Sequence, residues 1–445
     1  MSGCTSSGSA ENGRPRFRVA EVLRQHGPAL LARGGLSTQQ RKALRDAQRC
    51  RTAALGGHID ACSACGHRRP SYNSCRNRHC PSCQGQRQQR WVQARMERVL
   101  PVRHFHVVFT VPAQLRGLWQ CNPERLHALL FEAARVTLTT LAKQRLGAVL
   151  GVTAVLHTWT RELHYHPHLH CVVTAGGLDL RRKRWVPTHP RYLFPVALLG
   201  KLFRGVLLRR LEAAFANGEL RCVGRATGLA DPGAKDRLLR QLRRIKWVVY
   251  AKQPFAGAEQ VFRYLGRYTH RVAISDRRLL AVEAESICIA TRNGGSAWMT
   301  SAQFVARLLL HVLPRGLHKI RHFGLYAPTH ASRGLPLAAR LLAPRTDGDT
   351  AAEHPNEQPR NDQDAQQRAI PEPPASCERC GSATVRLPVP RLAPARVRGP
   401  PRSGVRWPGV STVKAASAAQ LGCATASLCF APDFASSTRH LLGRW

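Results

Sequence analysis

The chain lacks any apolar run approaching the roughly 20 residues that cross a bilayer, so no membrane span is expected. Residues 1–13 are small and polar, without the apolar stretch of a secretory signal, which points to a cytoplasmic protein. Acidic residues are also few. There are 26 Asp+Glu against 68 Lys+Arg in 445 residues, a formal net charge of +42. Solubility asks only for a magnitude of about 2–8 in a small domain. A positive field on this scale suits a polyanion, nucleic acid above all. Lysine is scarce, so arginine carries the charge, and its planar fork can bind phosphate through two hydrogen bonds. A genomic arginine bias and a basic tail both contribute, yet basic residues also punctuate the apolar-patterned segments. Internal repeats are lacking too, which excludes a solenoid.

What is present begins with cysteine. The 15 cysteines are an odd number, and five of them lie between Cys62 and Cys83. Without an export signal, such clustering reads as metal binding rather than disulfides. Two Cys-x-x-Cys knuckles, Cys62/Cys65 and Cys80/Cys83, are separated by 14 residues. That spacing suits a structural four-cysteine zinc site, with Gly66 serving the tight knuckle backbone. Cys75, His79 and His58 are alternates for one ligand or parts of a second site. A last knuckle, Cys377/Cys380, has no partner pair nearby and is a weak signal.

Around the cluster the chain divides by pattern. Residues 1–16 are expected to be disordered. Residues 17–55 read as helical, broken at Gly34-Gly35 and restarted by Ser37 as an N-cap, and a basic helix is expected over 84–100. These define a helical, zinc-ribbon-like DNA-binding domain over 17–100. Residues 104–111 read as a strand ended by Pro112, 123–146 as a helix, and 152–160 and 166–174 as strands, the latter closed by Gly176-Gly177. Further on, 245–250 is expected as a strand, 259–268 as a helix and 272–282 as extended. The mixture predicts an α+β or α/β sandwich over 101–342. Residues 343–445 read as a polar linker and a low-complexity tail without fold.

Two motifs carry chemistry. His164, His166, His168 and His170 occupy alternate positions, so an extended segment turns all of them to one face. Two imidazoles at i and i+2 can chelate one metal. Pro167 argues against a helix and against a central ladder position there, which leaves His168 and His170 as the best-supported pair. Tyr264 and Tyr268 lie four apart, on one face of the expected helix, with Arg263 and Arg267 similarly spaced for phosphate. A phenol is a poor nucleophile at its usual pKa of about 10, and a metal that polarises a phosphate lowers the barrier. On spacing alone, a packing stripe of Val261, Tyr264, Leu265 and Tyr268 is the stronger reading.

Longer strings change that balance. Residues 72–81 (YNSCRNRHCP), 164–173 (HYHPHLHCVV), 264–275 (YLGRYTHRVAIS) and 311–324 (HVLPRGLHKIRHFG) resemble the insertion-sequence-91-type transposases. The likeness runs from about Phe17 to Tyr326, with the motifs in family order. It implies a zinc-binding N-terminal domain and a ferredoxin-like HUH endonuclease domain that acts on single-stranded DNA. By that resemblance His168 and His170 bind Mg²⁺ or Mn²⁺, with His166 or His270 as third ligand. Tyr264 and Tyr268 would cleave and rejoin DNA through a 5′-phosphotyrosine during rolling-circle transposition, with Arg263, Arg267 and Arg271 on phosphates. The rival expectations are a catalytically silent DNA-binding protein and a HUH replication initiator or relaxase. The zinc cluster ahead of the histidines speaks against the initiator and relaxase. After Arg345 the sequence departs from the family pattern, and the tail beyond Cys380 matches none of it.

Overall fold

The computed structural model describes residues 15–252, 266, 273–343 and 376–392. The chain starts with helices α1 (Val19–Arg33) and α2 (Thr38–Arg49). The expected N-cap is present at Ser37. Its hydroxyl accepts from the Gln40 amide at 3.2 Å, while its own amide donates to Gln40 Oε1 at 2.9 Å. Such a reciprocal box satisfies two amides that the first turn would leave open. Strands β1 (Gly57–Cys62) and β2 (Arg68–Tyr72) form a hairpin, followed by α3 (Gly85–Met96).

The next elements build the main sheet. They are β3 (His104–Thr110), α4 (Arg116–Cys121), α5 (Pro123–Leu146), β4 (Val149–Trp159), β5 (Tyr165–Asp179) and β6 (Arg184–Pro187). Helices α6 (Val196–Ala216) and α7 (Pro232–Arg244) lead to β7 (Val249–Lys252). A second sheet has β8 (Leu279–Val282), β9 (Ser286–Ala290) and β10 (Ser296–Thr300), capped by α8 (Ser301–Leu310). Strand β11 (Ile320–Gly324) returns to the main sheet, then come α9 (Gly334–Leu342) and β12 (Thr384–Val389). The main sheet runs β11-β4-β5-β3-β7, with β6 paired to β5, and every ladder is antiparallel among the described residues. The class is thus α+β with antiparallel sheets.

Alternation along the strands gives that sheet two faces. Phe105, Val107 and Phe109 of β3 join Leu169, Cys171 and Val173 of β5 in the main core, beneath α5 and α6. The opposite face is richer in histidine, and α3 covers part of it through Trp91 and Met96 against Val155 and Val172. The N-terminal helices have no core of their own. Val19, Val22, Leu23 and Leu44 share one with Ile287, Ile289 and Phe304, so a common core spans the boundary expected near residue 100.

Several expectations are corrected. Strand β5 continues through Gly176-Gly177 to Asp179 by pairing with β6, and glycine suits position 176 because a Cβ there would lie 2.5 Å from the Trp185 indole. Its place between β4 and β3 is central despite Pro167. Pairing with β4 jumps from His157↔His168 to Trp159↔Tyr165, and the described β3 ladder ends at Thr110↔His168. The proline, which has no amide hydrogen, therefore falls in an irregular stretch that asks for none. Ile245 caps α7, so β7 starts at Val249. Residues 376–392 are ordered into a knuckle and β12, which pairs with β1, so the supposed tail contains structure. Residues 1–14 and 393–445 lie outside the described residues.

Candidate functional site

His168 and His170 stand on the face of β5 that points away from the main core, as the two-residue strand period requires. The neighbouring strand adds His157, the cross-strand partner of His168. One ring nitrogen from each of these three residues lies within 4.8 Å of the others. His168 Nε2 and His170 Nε2 are 3.1 Å apart. Two ligands about 2.1 Å from a cation and at right angles would be about 3 Å apart, so this pair fits an octahedral divalent ion. His166 is outside the group, although its ring centroid is 5.2 Å from that of His168. Cross-strand register instead sets the His157 ring 5.3 Å from that of His168 and 4.2 Å from that of His170, so His157 completes the group of three. His270, the other candidate, lies outside the described residues.

The other ring nitrogens of His168 and His170 are engaged. His168 Nδ1 lies 2.7 Å from the His166 carbonyl, so it carries the proton and leaves Nε2 as an acceptor. His170 Nδ1 lies 2.7 Å from His106 Nε2 of β3, a hydrogen bond that holds the second imidazole in place. Burial pushes His168 down to about 4. Burial, reinforced by neighbouring imidazoles, also holds His157 and His170 well below the ordinary range. All three are neutral at pH 7, the form that ligates metal. Beside them the half-buried Lys319 is pushed down to about 7 by loss of hydration, with its ammonium 4.9 Å over the Trp159 ring.

Tyr264, Tyr268, Arg263, Arg267 and Arg271 lie outside the described residues. Gly266, between the tyrosines, is described and helical. A Cβ there would lie 2.3 Å from Val92 Cγ2 of α3, so the Gly266 backbone rests directly on that helix. Through Trp91, α3 in turn packs on Val155 and Val172, and Val155 is the cross-strand partner of His170.

The cysteines correct the expected zinc set. Cys62, Cys65, Cys80 and Cys83 do not converge. Cys80 and Cys83 group with Cys75 and Cys50, while Cys62 and Cys65 group with Cys377 and Cys380. Spacing along the chain suggested the wrong partners because each knuckle has a nearer pair in space. Cys75 Sγ and Cys83 Sγ are 3.7 Å apart. That is far beyond a disulfide bond of about 2.05 Å. It is close to the roughly 3.8 Å edge of a tetrahedron with Zn–S of about 2.3 Å. The Cys75 amide and the Gln84 side chain donate to Cys50 Sγ and Cys83 Sγ, as suits thiolate ligands. His79 and His58 join neither group. His79 Nε2 accepts from the Leu313 amide at 3.0 Å, and His58 lies 3.8 Å from Asp60.

Four further histidines predict a stability profile. Burial pushes His104, His311 and His322 down to about 4 and His127 to about 3, against 6.5 when exposed. The unfolded chain therefore binds more protons between these values, and their contribution to stability, complete above pH 6.5, falls as pH drops toward 4. Chemical denaturation at fixed ionic strength should show the midpoint decreasing steadily from pH 7 to pH 4. A flat midpoint over that range would mean that these rings are not buried neutral.

Comparison with known proteins agrees with this architecture. A family profile described as "Transposase zinc-binding domain" matches residues 22–111, and one described as "Putative transposase" matches residues 151–333. "Putative transposase y4qJ" of Sinorhizobium fredii is 41% identical over 348 residues, covering 76% of this chain and 87% of its own length. "Transposase for insertion sequence element IS801" of Pseudomonas savastanoi pv. phaseolicola is 27% identical over 344 residues, covering 72% and 78%. No solved structure matches the chain. A zinc-binding transposase region followed by a second transposase region defines the class. The chain belongs to the insertion-sequence-91-type transposase family.

Sequence reasoning missed His157, Cys50 and the role of Cys377/Cys380. His157 had a usable signal, since it sits within a segment read as a strand. Cys50 had none, as a single cysteine at the end of α2. The distant knuckle was visible, but its partner was not.

Proposed function

We propose that this protein transposes DNA by rolling-circle strand transfer, nicking single strands at an HUH-type site on a ferredoxin-like sheet. The observation that carries the proposal is the convergence of His157, His168 and His170 on one sheet face, beside the helix on which Gly266 rests. A bound Mg²⁺ or Mn²⁺ would polarise the scissile phosphate and neutralise charge that builds on its oxygens. The three imidazoles would hold the ion, and His106 would keep His170 in the ligating tautomer. Tyr264 or Tyr268 attacks phosphorus through its phenol oxygen. The phosphorus bond to the 3′ oxygen breaks, that oxygen leaves with a proton as a 3′ hydroxyl, and the 5′ end stays on tyrosine. Attack by another 3′ hydroxyl reverses the step and rejoins DNA without an external energy source. Arg263, Arg267 and Arg271 would bind flanking phosphates, and the zinc-binding region would grip the DNA.

The test is an incubation of the full chain with single-stranded oligonucleotides bearing candidate element ends, with Mn²⁺ or with chelator. A covalent adduct that needs the metal and maps to the peptide carrying Tyr264 and Tyr268 is the expected result. Tight DNA retention without adduct at any end would instead indicate a silent DNA-binding protein. A metal-independent adduct would remove the imidazole cluster from the chemistry.

A further inference from the structure

We propose that Cys62, Cys65, Cys377 and Cys380 form a second zinc site that clasps a C-terminal segment to the N-terminal hairpin. Cys377 and Cys380 lie outside both regions matched by family profiles, 22–111 and 151–333. The site is separate from the Cys50 group, and both are four-cysteine clusters.

The sulfur geometry is that of a tetrahedral thiolate site. Cys62 Sγ lies 3.5 Å from Cys380 Sγ, and Cys65 Sγ lies 3.6 Å from Cys377 Sγ. Both spacings are too long for a disulfide and near the roughly 3.8 Å edge around zinc. The two knuckles also repeat one backbone design. The Gly66 amide donates to the Cys62 carbonyl, and the Gly381 amide donates to the Cys377 carbonyl, at 3.0 and 2.9 Å. Both glycines have positive φ, 70° and 75°, which turns the chain sharply after each second cysteine. The Arg379 amide donates to Cys377 Sγ at 3.4 Å, a bond that favours thiolate.

The surrounding sheet has little else to hold it. Strand β12 runs antiparallel to β1, from Cys62↔Thr384 to Gly57↔Val389, as the third strand of the hairpin sheet. Its Val385 and Leu387 are exposed, 58% and 39%, and all of β2 except Tyr72 is exposed. A three-stranded sheet without an apolar core needs a staple, and metal binding supplies folding free energy outright in such modules. A second observation independent of sulfur marks the docking as built. Asp60 is buried, and its carboxylate accepts from Arg386 Nε of β12 at 2.9 Å and from Arg69 at 3.5 Å. Arg69 also pairs with Glu378 of the knuckle. Through this ion pair the C-terminal strand neutralises a buried carboxylate of the N-terminal one.

The test needs no transposition activity. Zinc is counted per full-length chain by atomic emission, in the wild type and in the Cys377→Ser/Cys380→Ser variant. The count should fall by one, with the Cys50 group still loaded. A protease site inserted between residues 343 and 376 then allows the chain to be cut. With zinc bound, the C-terminal fragment should co-elute with the body, and it should elute separately in the double variant. An unchanged zinc count sinks the proposal. So does separation of the cut wild-type fragment in zinc-saturated buffer, a result that stands even if the variant folds poorly.

Discussion

Phenylalanine at both Tyr264 and Tyr268 should abolish the covalent adduct while leaving zinc content and DNA affinity unchanged. Each substitution removes only a hydroxyl, and the loss of one hydrogen bond costs about 1 kcal/mol, too little to unfold a chain of this size. The chemistry has no comparable tolerance. Without a phenol oxygen there is no group to carry the 5′ phosphate, and nucleophile removal costs on the order of a thousandfold or more. Single variants then assign the roles. If one phenol cleaves and the other receives a strand, Tyr264→Phe and Tyr268→Phe will differ, one blocking nicking and the other blocking rejoining. Adduct at the wild-type level in the double variant would place the nucleophile elsewhere and dismiss the two-tyrosine mechanism. The seating of Gly266 on α3 makes the wild-type comparison informative, because α3 also packs on the sheet face that carries His170.

Cys80→Ser should remove one zinc and unfold the N-terminal region. Cys80 is fully buried and belongs both to the Cys50 group and to the core shared by α1, α2 and the β8–β10 sheet. Serine is a poor zinc ligand and leaves a buried hydroxyl. With structural zinc worth about 10–16 kcal/mol in peptide modules, the loss exceeds the stability of a typical domain. Because Leu44, Ile287 and Phe304 share that core, the damage should spread beyond the knuckle. Thermal melts with zinc analysis would show it as a lower or absent first transition. A variant that keeps all its zinc and melts like wild type would exclude Cys80 as a ligand. The contrast with the exposed Cys380 is useful, since its loss should free the C-terminal segment and spare the shared core.

Local rules made much of this protein legible before any coordinates. The N-cap at Ser37, the helix Pro123–Leu146 and the strand placing His168 and His170 on one face follow from short-range sterics and period. Ligand identity at a distance did not. His157 became a partner of His168 only through antiparallel register, which depends on how whole strands pair. Cys62 and Cys380, 318 residues apart, meet because β12 pairs with β1 in the fold. Loop closure opposes such a meeting only weakly, at about 0.6 kcal/mol for each doubling of length. Residue spacing could therefore point to metal chemistry in this chain, while the choice of which thiols and imidazoles converge belonged to the fold.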